Sequence, residues 1–138
     1  TPAGAPDLPI NPILVSLAAG AGFVARGFSG DLPHLTDLIV AAINHKGFSI
    51  VDILQPCITF NSLNTYEWFR KRVYRLENHN TGNKLEAFKK AMEWDEKIPL
   101  GIFFQEPFDS ARGKEREDLQ TASSKIKVNF DSLVKEFV

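Results

Sequence analysis

"GFVARGFSGDLPHLTDLIVAAINHKGFSIVDILQ", residues 22 to 55, decides the fold. Its first part, "GFVARGFS", is aromatic, β-branched and bounded by glycines, which predicts a buried strand. Asp31 stands where a helix N-cap belongs. Leu35, Leu38, Ile39 and Ala42 then recur at helical spacing, and Gly47 marks the C-terminal stop. "FSIVDILQ" follows as a continuous apolar strand with a single acid, so Asp52 either pairs with a buried partner or sits near the strand end. Upstream, "NPILVSLAAG" offers Asn11 as N-cap and Pro12 at the first helical position, where a missing N–H does no harm, for a short helix ending near Gly20 or Gly22. Residues 11 to 55 thus read helix, strand, helix, strand. That alternation predicts an α/β fold with a mostly parallel sheet flanked by helices, whose sites lie at the carboxyl ends of the strands. Cys57, the single cysteine, stands at such an end.

The totals exclude several classes. A chain of 138 residues fits one domain able to bury a core without disulfides. With 43% apolar and 24% charged residues and a formal charge of -1, it has no long-range attraction for nucleic acid or anionic lipid, and neither is expected as a partner. One cysteine forms no internal disulfide, which favours the reducing cytoplasm. No apolar run approaches the roughly 20 residues that span a bilayer, and the first residues lack the basic and apolar regions of a signal peptide. The opening "TPAGAPDLPINP", beginning at Thr1 and punctuated by prolines, reads as an interior connection of something longer.

Downstream, "NTYEWFRKRVYRLE" predicts an aromatic and basic helix with Asn64 or Thr65 as N-cap and Glu67 completing a capping box. "NHNTGN" is a turn. "KLEAFKKAMEW" places Leu85, Phe88, Ala91 and Met92 on one helix face, and "IPLGIFFQ" is a further apolar strand. Residues 109 to 125 are polar and highly charged, and "NFDSLVKEFV" predicts a short terminal helix capped at Asn129.

Few motifs carry chemistry. GxGxxG, Walker, HExxH and GxSxG patterns are absent, and "AAGAG" at 18 to 22 sits in a helix-like run, so its glycines serve packing or termination. His34, His45 and His79 lack metal spacing and read as solvated. The run Arg70-Lys71-Arg72, beside Trp68, Phe69 and Tyr74, reads as a solvated face. For Cys57 three readings stand: a small buried hydrophobe, a nucleophile, or one corner of a metal site. Pro56 takes the chain out of the sheet ladder, and Thr59, Asn61 and Asn64 can orient backbone N–H groups around the thiol, which suits hydrogen bonding to a cluster's sulfurs. A nucleophile needs an adjacent base, and no histidine follows in a recognisable signature.

The stretch from "NPILVSLAAG" through "HKGFSIVDILQPC", "TFNSLNTYEWF", "NKLEAFKKAMEW" and "IPLGIFF" resembles the β subunit of 2-oxoacid:ferredoxin oxidoreductases, the thiamine-diphosphate-binding subunit of a family that includes the pyruvate enzyme. The resemblance covers roughly residues 1 to 106 and leaves 107 to 138, the charged loop and short terminal helix, unplaced. It implies the C-terminal half of a thiamine-diphosphate-binding domain. It further implies coenzyme A-dependent oxidative decarboxylation of a 2-oxoacid of the pyruvate or 2-oxoglutarate class, with an α subunit and ferredoxin as partners. The cofactors implied are thiamine diphosphate, magnesium and a [4Fe–4S] cluster, and the cysteine of "LQPC", here Cys57, is implied as one cluster ligand. The family's "GDGD" element, the asparagine that accompanies it and the cysteines that supply the other ligands are not in this sequence. The chain alone is therefore expected to bind neither cofactor nor cluster and to be inactive. Trp68, Phe69, Phe103 and Phe104 are expected to cover part of an interface with the α subunit or the rest of the β subunit, against ordinary core packing as the alternative. The rival functions are a noncatalytic α/β binding or assembly module and a small enzyme using Cys57 as nucleophile.

Overall fold

The structure, a computed structural model, describes residues 9–107. Eight elements follow in order: α1 (Pro12–Ala18), β1 (Phe23–Phe28), α2 (Leu32–Asn44), β2 (Ser49–Leu54), α3 (Tyr66–Arg70), β3 (Val73–Arg75), α4 (Lys84–Ala91) and β4 (Ile98–Gln105). The caps form as the sequence predicts. Asn11 Oδ1 accepts from the backbone N–H of Ile13 and Leu14, and Asp31 accepts from His34 N–H. Asn11 also donates through Nδ2 to the carbonyl of Ala91 at 2.7 Å, so one side chain caps α1 and ties it to the end of α4.

The strands form one sheet in the order β2-β1-β4-β3. β1 pairs with β2 in parallel, from Phe23 opposite Ser49 to Phe28 opposite Leu54, and β3 pairs with β4 in parallel. β1 and β4 are antiparallel. The sheet is therefore two βαβ units, β1-α2-β2 and β3-α4-β4, joined at an antiparallel seam, so two of its three pairings are parallel. The seam is irregular, with its register shifting between Val24 and Ala25. Gly101 lies in it at φ +130, a conformation that glycine adopts without a side-chain penalty.

Strand alternation divides the core. Phe23 and Ala25 pack with Leu38 of α2 on one face, where Gly27 leaves room for Leu35: a Cβ there would lie 2.5 Å from Leu35 Cδ1. On the opposite face Val24 meets Ile13 and Leu17 of α1, Ala87 and Ala91 of α4, and Phe103. Further along the same face Phe28, Leu54, Phe69, Ile98 and Leu100 form another cluster.

Three sequence expectations are corrected. "NTYEWFRKRVYRLE" is not one helix: α3 stops at Arg70 and Val73–Arg75 is a strand. The open edge of β4 captures it, since Ile98 N–H donates to Arg72 O at 2.9 Å and Leu76 N–H donates to Leu100 O at 2.8 Å, and β-branched Val73 fits the pleated surface better than a helix. Thr65 is the α3 cap, but Glu67 forms no capping box and instead pairs with Lys71 at 3.3 Å. In α4 the inward residues are Ala87 and Ala91, fully buried, with Phe88 partly so, whereas Leu85 and Met92 are exposed. Small residues face inward because α4 lies against both α1 and β4, where a leucine would not fit. Of the two readings held for the aromatic residues, core packing is the one found: Phe69, Phe103 and Phe104 are buried and Trp68 packs edge-on against Phe69. The terminal helix expected at Asn129 and the charged segment 109 to 125 lie outside the described residues.

Candidate functional site

At the C-terminal end of β2 the chain leaves the sheet through Gln55 and buried Pro56, and Cys57 emerges exposed to solvent. This overturns the buried-hydrophobe reading: the ladder with β1 ends at Leu54, and Pro56, with no N–H and a fixed φ, keeps the chain from rejoining it before the thiol. The loop that follows is closed by hydrogen bonds. Cys57 O accepts from the N–H groups of Phe60 at 3.1 Å and Asn61 at 2.9 Å. Asn61 Oδ1 accepts from Leu63 and Asn64 N–H at 3.0 Å each, and Asn61 Nδ2 donates to Asn64 Oδ1 at 2.9 Å. A turn pinned by its own asparagine holds Cys57 in place while Ile58, Phe60 and Leu63 point outward, Phe60 at 92% exposure. Among the described residues no three of His, Cys, Asp and Glu gather as a metal site, so Cys57 can supply a single thiolate and any further ligands come from beyond them. Among the described residues no histidine hydrogen-bonds to Cys57: His79 Nε2 is engaged with Phe103 O at 2.8 Å, and His45 packs against Phe23.

The histidines are less solvated than their spacing suggested. His34 is half-buried on α2, with Nδ1 lacking a hydrogen-bond partner among the described residues. Burial, reinforced by the charge of Arg75, holds its pKa below the usual histidine value against the opposing pull of Asp31 and Asp37. Arg75 Nη2 reaches Asp31 Oδ2 at 2.7 Å, and this hydrogen bond lowers the carboxyl pKa of the α2 cap.

A second polar feature was only half legible. Asp52 does pair with a buried partner, Arg26, which stands opposite it in the parallel register of β1 and β2. Arg26 Nε donates to Asp52 Oδ2 at 2.8 Å, and the guanidinium lies 5.3 Å from the ring centre of Trp94 and 5.4 Å from that of Phe103. Arg26 is 1% exposed, and its Nη1 has no hydrogen-bond partner among the described residues. The spacing of 26 residues between Arg26 and Asp52 offered no sequence signal for the pair, because only the strand register makes them neighbours.

Beyond Trp94 a groove of about 870 Å³ runs between β3 and the end of α4. Its wall carries a trio in which Tyr74 Oη donates to Glu93 Oε2 and Lys90 Nζ donates to Glu93 Oε1 at 2.7 Å and to Tyr74 Oη at 3.2 Å. Burial and the Glu93 carboxylate raise the Tyr74 pKa, so the phenol stays protonated and the trio works as a tie between β3 and α4 rather than as a base. In the basic run beside it Arg70 and Lys71 are exposed, as the sequence suggests, while Arg72 stacks 4.1 Å from the Trp68 ring centre and donates to Trp68 O at 3.0 Å.

With this geometry in place, comparison with known proteins is informative. The family model for the C-terminal region of the pyruvate ferredoxin oxidoreductase β subunit matches residues 57–118 and begins at Cys57. A 2-oxoacid:ferredoxin oxidoreductase β subunit from Sulfolobus sp. is 42% identical over 108 residues, which is 70% of this chain and 35% of that protein. The β subunit KorB of a 2-oxoglutarate oxidoreductase from Mycobacterium tuberculosis is 44% identical over 61 residues, covering 44% of this chain and 16% of that one. Among solved structures, a 2-oxoglutarate:ferredoxin oxidoreductase from Magnetococcus marinus, determined with 2-oxoglutarate, coenzyme A and succinyl-CoA bound, superimposes with a TM-score of 0.76 at 28% identity. The match covers 98% of this chain and 47% of the other. The chain spans about a third of the length of the first of these curated relatives.

Proposed function

Because the chain belongs with the β subunits of 2-oxoacid:ferredoxin oxidoreductases, matching their C-terminal part, we propose that it serves an enzyme of that activity. The reaction converts a 2-oxoacid of the pyruvate or 2-oxoglutarate class and coenzyme A into acyl-CoA and CO₂, and ferredoxin takes up the electrons. An α subunit of the same enzyme is the structural partner, and the cytoplasm is the compartment. What carries this reading is the exposed Cys57 at the end of β2, inside "LQPC" and at the first residue of the family match.

Thiamine diphosphate with magnesium supplies the carbanion chemistry of such enzymes, and a [4Fe–4S] cluster supplies one-electron transfer. Cys57 fits the cluster as one thiolate of four, being solvent-facing on a loop whose backbone is fixed by Asn61. The donor set within residues 9–107 does not reach beyond that single ligand, so the remaining thiolates and the diphosphate and magnesium sites fall to other residues of the subunit. On this reading the present chain by itself binds no cluster and turns over no substrate. Its own residues end β2, present the thiol and hold the loop closed around it.

Anaerobic iron and sulfide analysis with visible absorption, on the full-length β subunit and its Cys57→Ser variant, tests the assignment. Loss of iron or altered cluster absorption in the variant is the expected result. An intact cluster in Cys57→Ser, or a wild-type subunit without iron, overturns it and leaves the noncatalytic α/β module ahead.

A further inference from the structure

Two kinds of contact hold the loop between β2 and α3. The core fixes its stems: Leu54, the last residue of β2, and Phe69 of α3 lie in one cluster with Phe28, against which the Tyr66 ring also packs. Ser29 joins the two stems, since its N–H donates to Leu54 O at 3.0 Å, and its hydroxyl donates to the same oxygen at 3.2 Å and lies 3.4 Å from Tyr66 Oη. Between the stems the rule changes. Residues 57 to 63 are all exposed, so packing does not set their conformation. Hydrogen bonds do, and among the described residues every side-chain hydrogen bond within that stretch involves Asn61. Its Oδ1 holds the N–H groups of Leu63 and Asn64, and its own N–H closes on Cys57 O.

The closed turn leaves donors beside the thiol. The N–H groups of Ile58 and Thr59 have no acceptor among the described residues. A short side chain accepts readily from the N–H two residues on, which for Cys57 is that of Thr59. Residues 55 to 65 carry no charge, so backbone N–H groups are the strongest donors that the loop can offer a sulfur.

We infer that Asn61 is a positioning residue for electron transfer: by closing the turn it holds the Thr59 N–H on Cys57 Sγ and thereby sets the reduction potential of the cluster. The inference rests on the cluster reading above and deepens it. A donated N–H stabilises a cluster sulfur most when the cluster carries its extra electron, so it raises the potential. Without the Asn61 carboxamide the turn opens, the donor turns part of the time to water, and the potential falls. Asn61 acts through the backbone of Cys57 and touches neither cluster nor substrate.

Dye-mediated redox titration of the full-length β subunit, followed by visible absorption and electron paramagnetic resonance, tests this on wild type, Asn61→Ala, Asn61→Ser and Ser62→Ala. The expected Asn61→Ala midpoint is more negative than wild type by about 59 mV, a tenfold change in the one-electron equilibrium, at equal iron content. Asn61→Ser keeps a weaker acceptor and should recover part of the shift. Ser62→Ala removes an exposed hydroxyl of the same loop and should leave the midpoint unmoved. Loss of iron from Asn61→Ala but not from Ser62→Ala also supports the assignment, because a freed Cys57 no longer meets the cluster. An Asn61→Ala midpoint equal to wild type overturns it, as does an equal shift or an equal loss of iron in Ser62→Ala. A wild-type subunit without a cluster, or a Cys57→Ser variant with its cluster unchanged, sinks the cluster reading and this inference together, whereas an unmoved midpoint sinks this inference alone.

Discussion

Removing the carboxylate of Asp52 should be among the most damaging single changes to this fold. Arg26 is 1% exposed, Asp52 is its one hydrogen-bonded anion among the described residues, and the two aromatic faces beside it compensate only part of the charge. Asp52→Ala leaves a guanidinium buried without a counter-ion, a class of change that costs about 3–5 kcal/mol. A small domain holds only about 5–15 kcal/mol in total. With a urea dependence of about 1–3 kcal/mol per molar, the unfolding midpoint should fall by at least about 1 M. The assay is urea unfolding of the 138-residue chain followed by far-UV circular dichroism and by tryptophan emission, since Trp94 borders the pair. The double variant Arg26→Met, Asp52→Leu removes both charges and should recover most of the loss, because two apolar side chains of similar bulk suit the neighbouring clusters. A loss under about 1 kcal/mol for Asp52→Ala, or a double variant no better than the single one, refutes the reasoning and means that water reaches the guanidinium.

Two further outcomes are expected. Gly101→Ala places a Cβ at φ +130 and 3.4 Å from Leu76 Cβ, so it should lower stability by about 1–3 kcal/mol in the same urea titration, with the seam between β1 and β4 loosened. Glu93 makes part of the stability pH-dependent. Burial works to raise its pKa, hydrogen bonds from Lys90 and Tyr74 outweigh that, and the folded carboxyl titrates below its usual value of 4.5. A depressed carboxyl contributes fully above its unfolded pKa and loses that contribution as pH falls through the folded one, so Glu93→Gln should flatten the decline of thermal midpoint below about pH 4.5. An unchanged acid slope in the variant would show that the trio is too well hydrated to matter.

Much of this protein was legible before any coordinates. Asn11 and Asp31 announce their helices because a cap acts on N–H groups two or three residues away, within reach of a local pattern. The βαβ unit from Phe23 to Leu54 is fixed by periodicity and by the glycine and aspartate that punctuate it. The family resemblance, carried by motifs such as "LQPC" and "HKGF", was equally a property of the string, and the relatives bear it out. Where the sequence misled, the deciding partner lay far along the chain. Val73 and Tyr74 follow a helical run and would have extended it, but β4, more than twenty residues later, offered backbone partners that a helix could not outbid. The buried stripe of α4 falls on two alanines because of how near α1 and β4 approach, which no hydrophobic ranking encodes.

The same division holds at the candidate site. That a lone cysteine ends a strand is written in residues 54 to 57, as is the proline that keeps it from rejoining the ladder. The turn that Asn61 ties beside it is built from residues 57 to 64 alone, whereas the neutralisation of Asp52 by Arg26 was decided by strand register. Sequence by itself sets what each short segment prefers, since caps, turns and periodicity act across a few bonds. Tertiary structure alone decides which preferences survive, because burial and hydrogen-bond partnership depend on neighbours that only the folded sheet brings within reach.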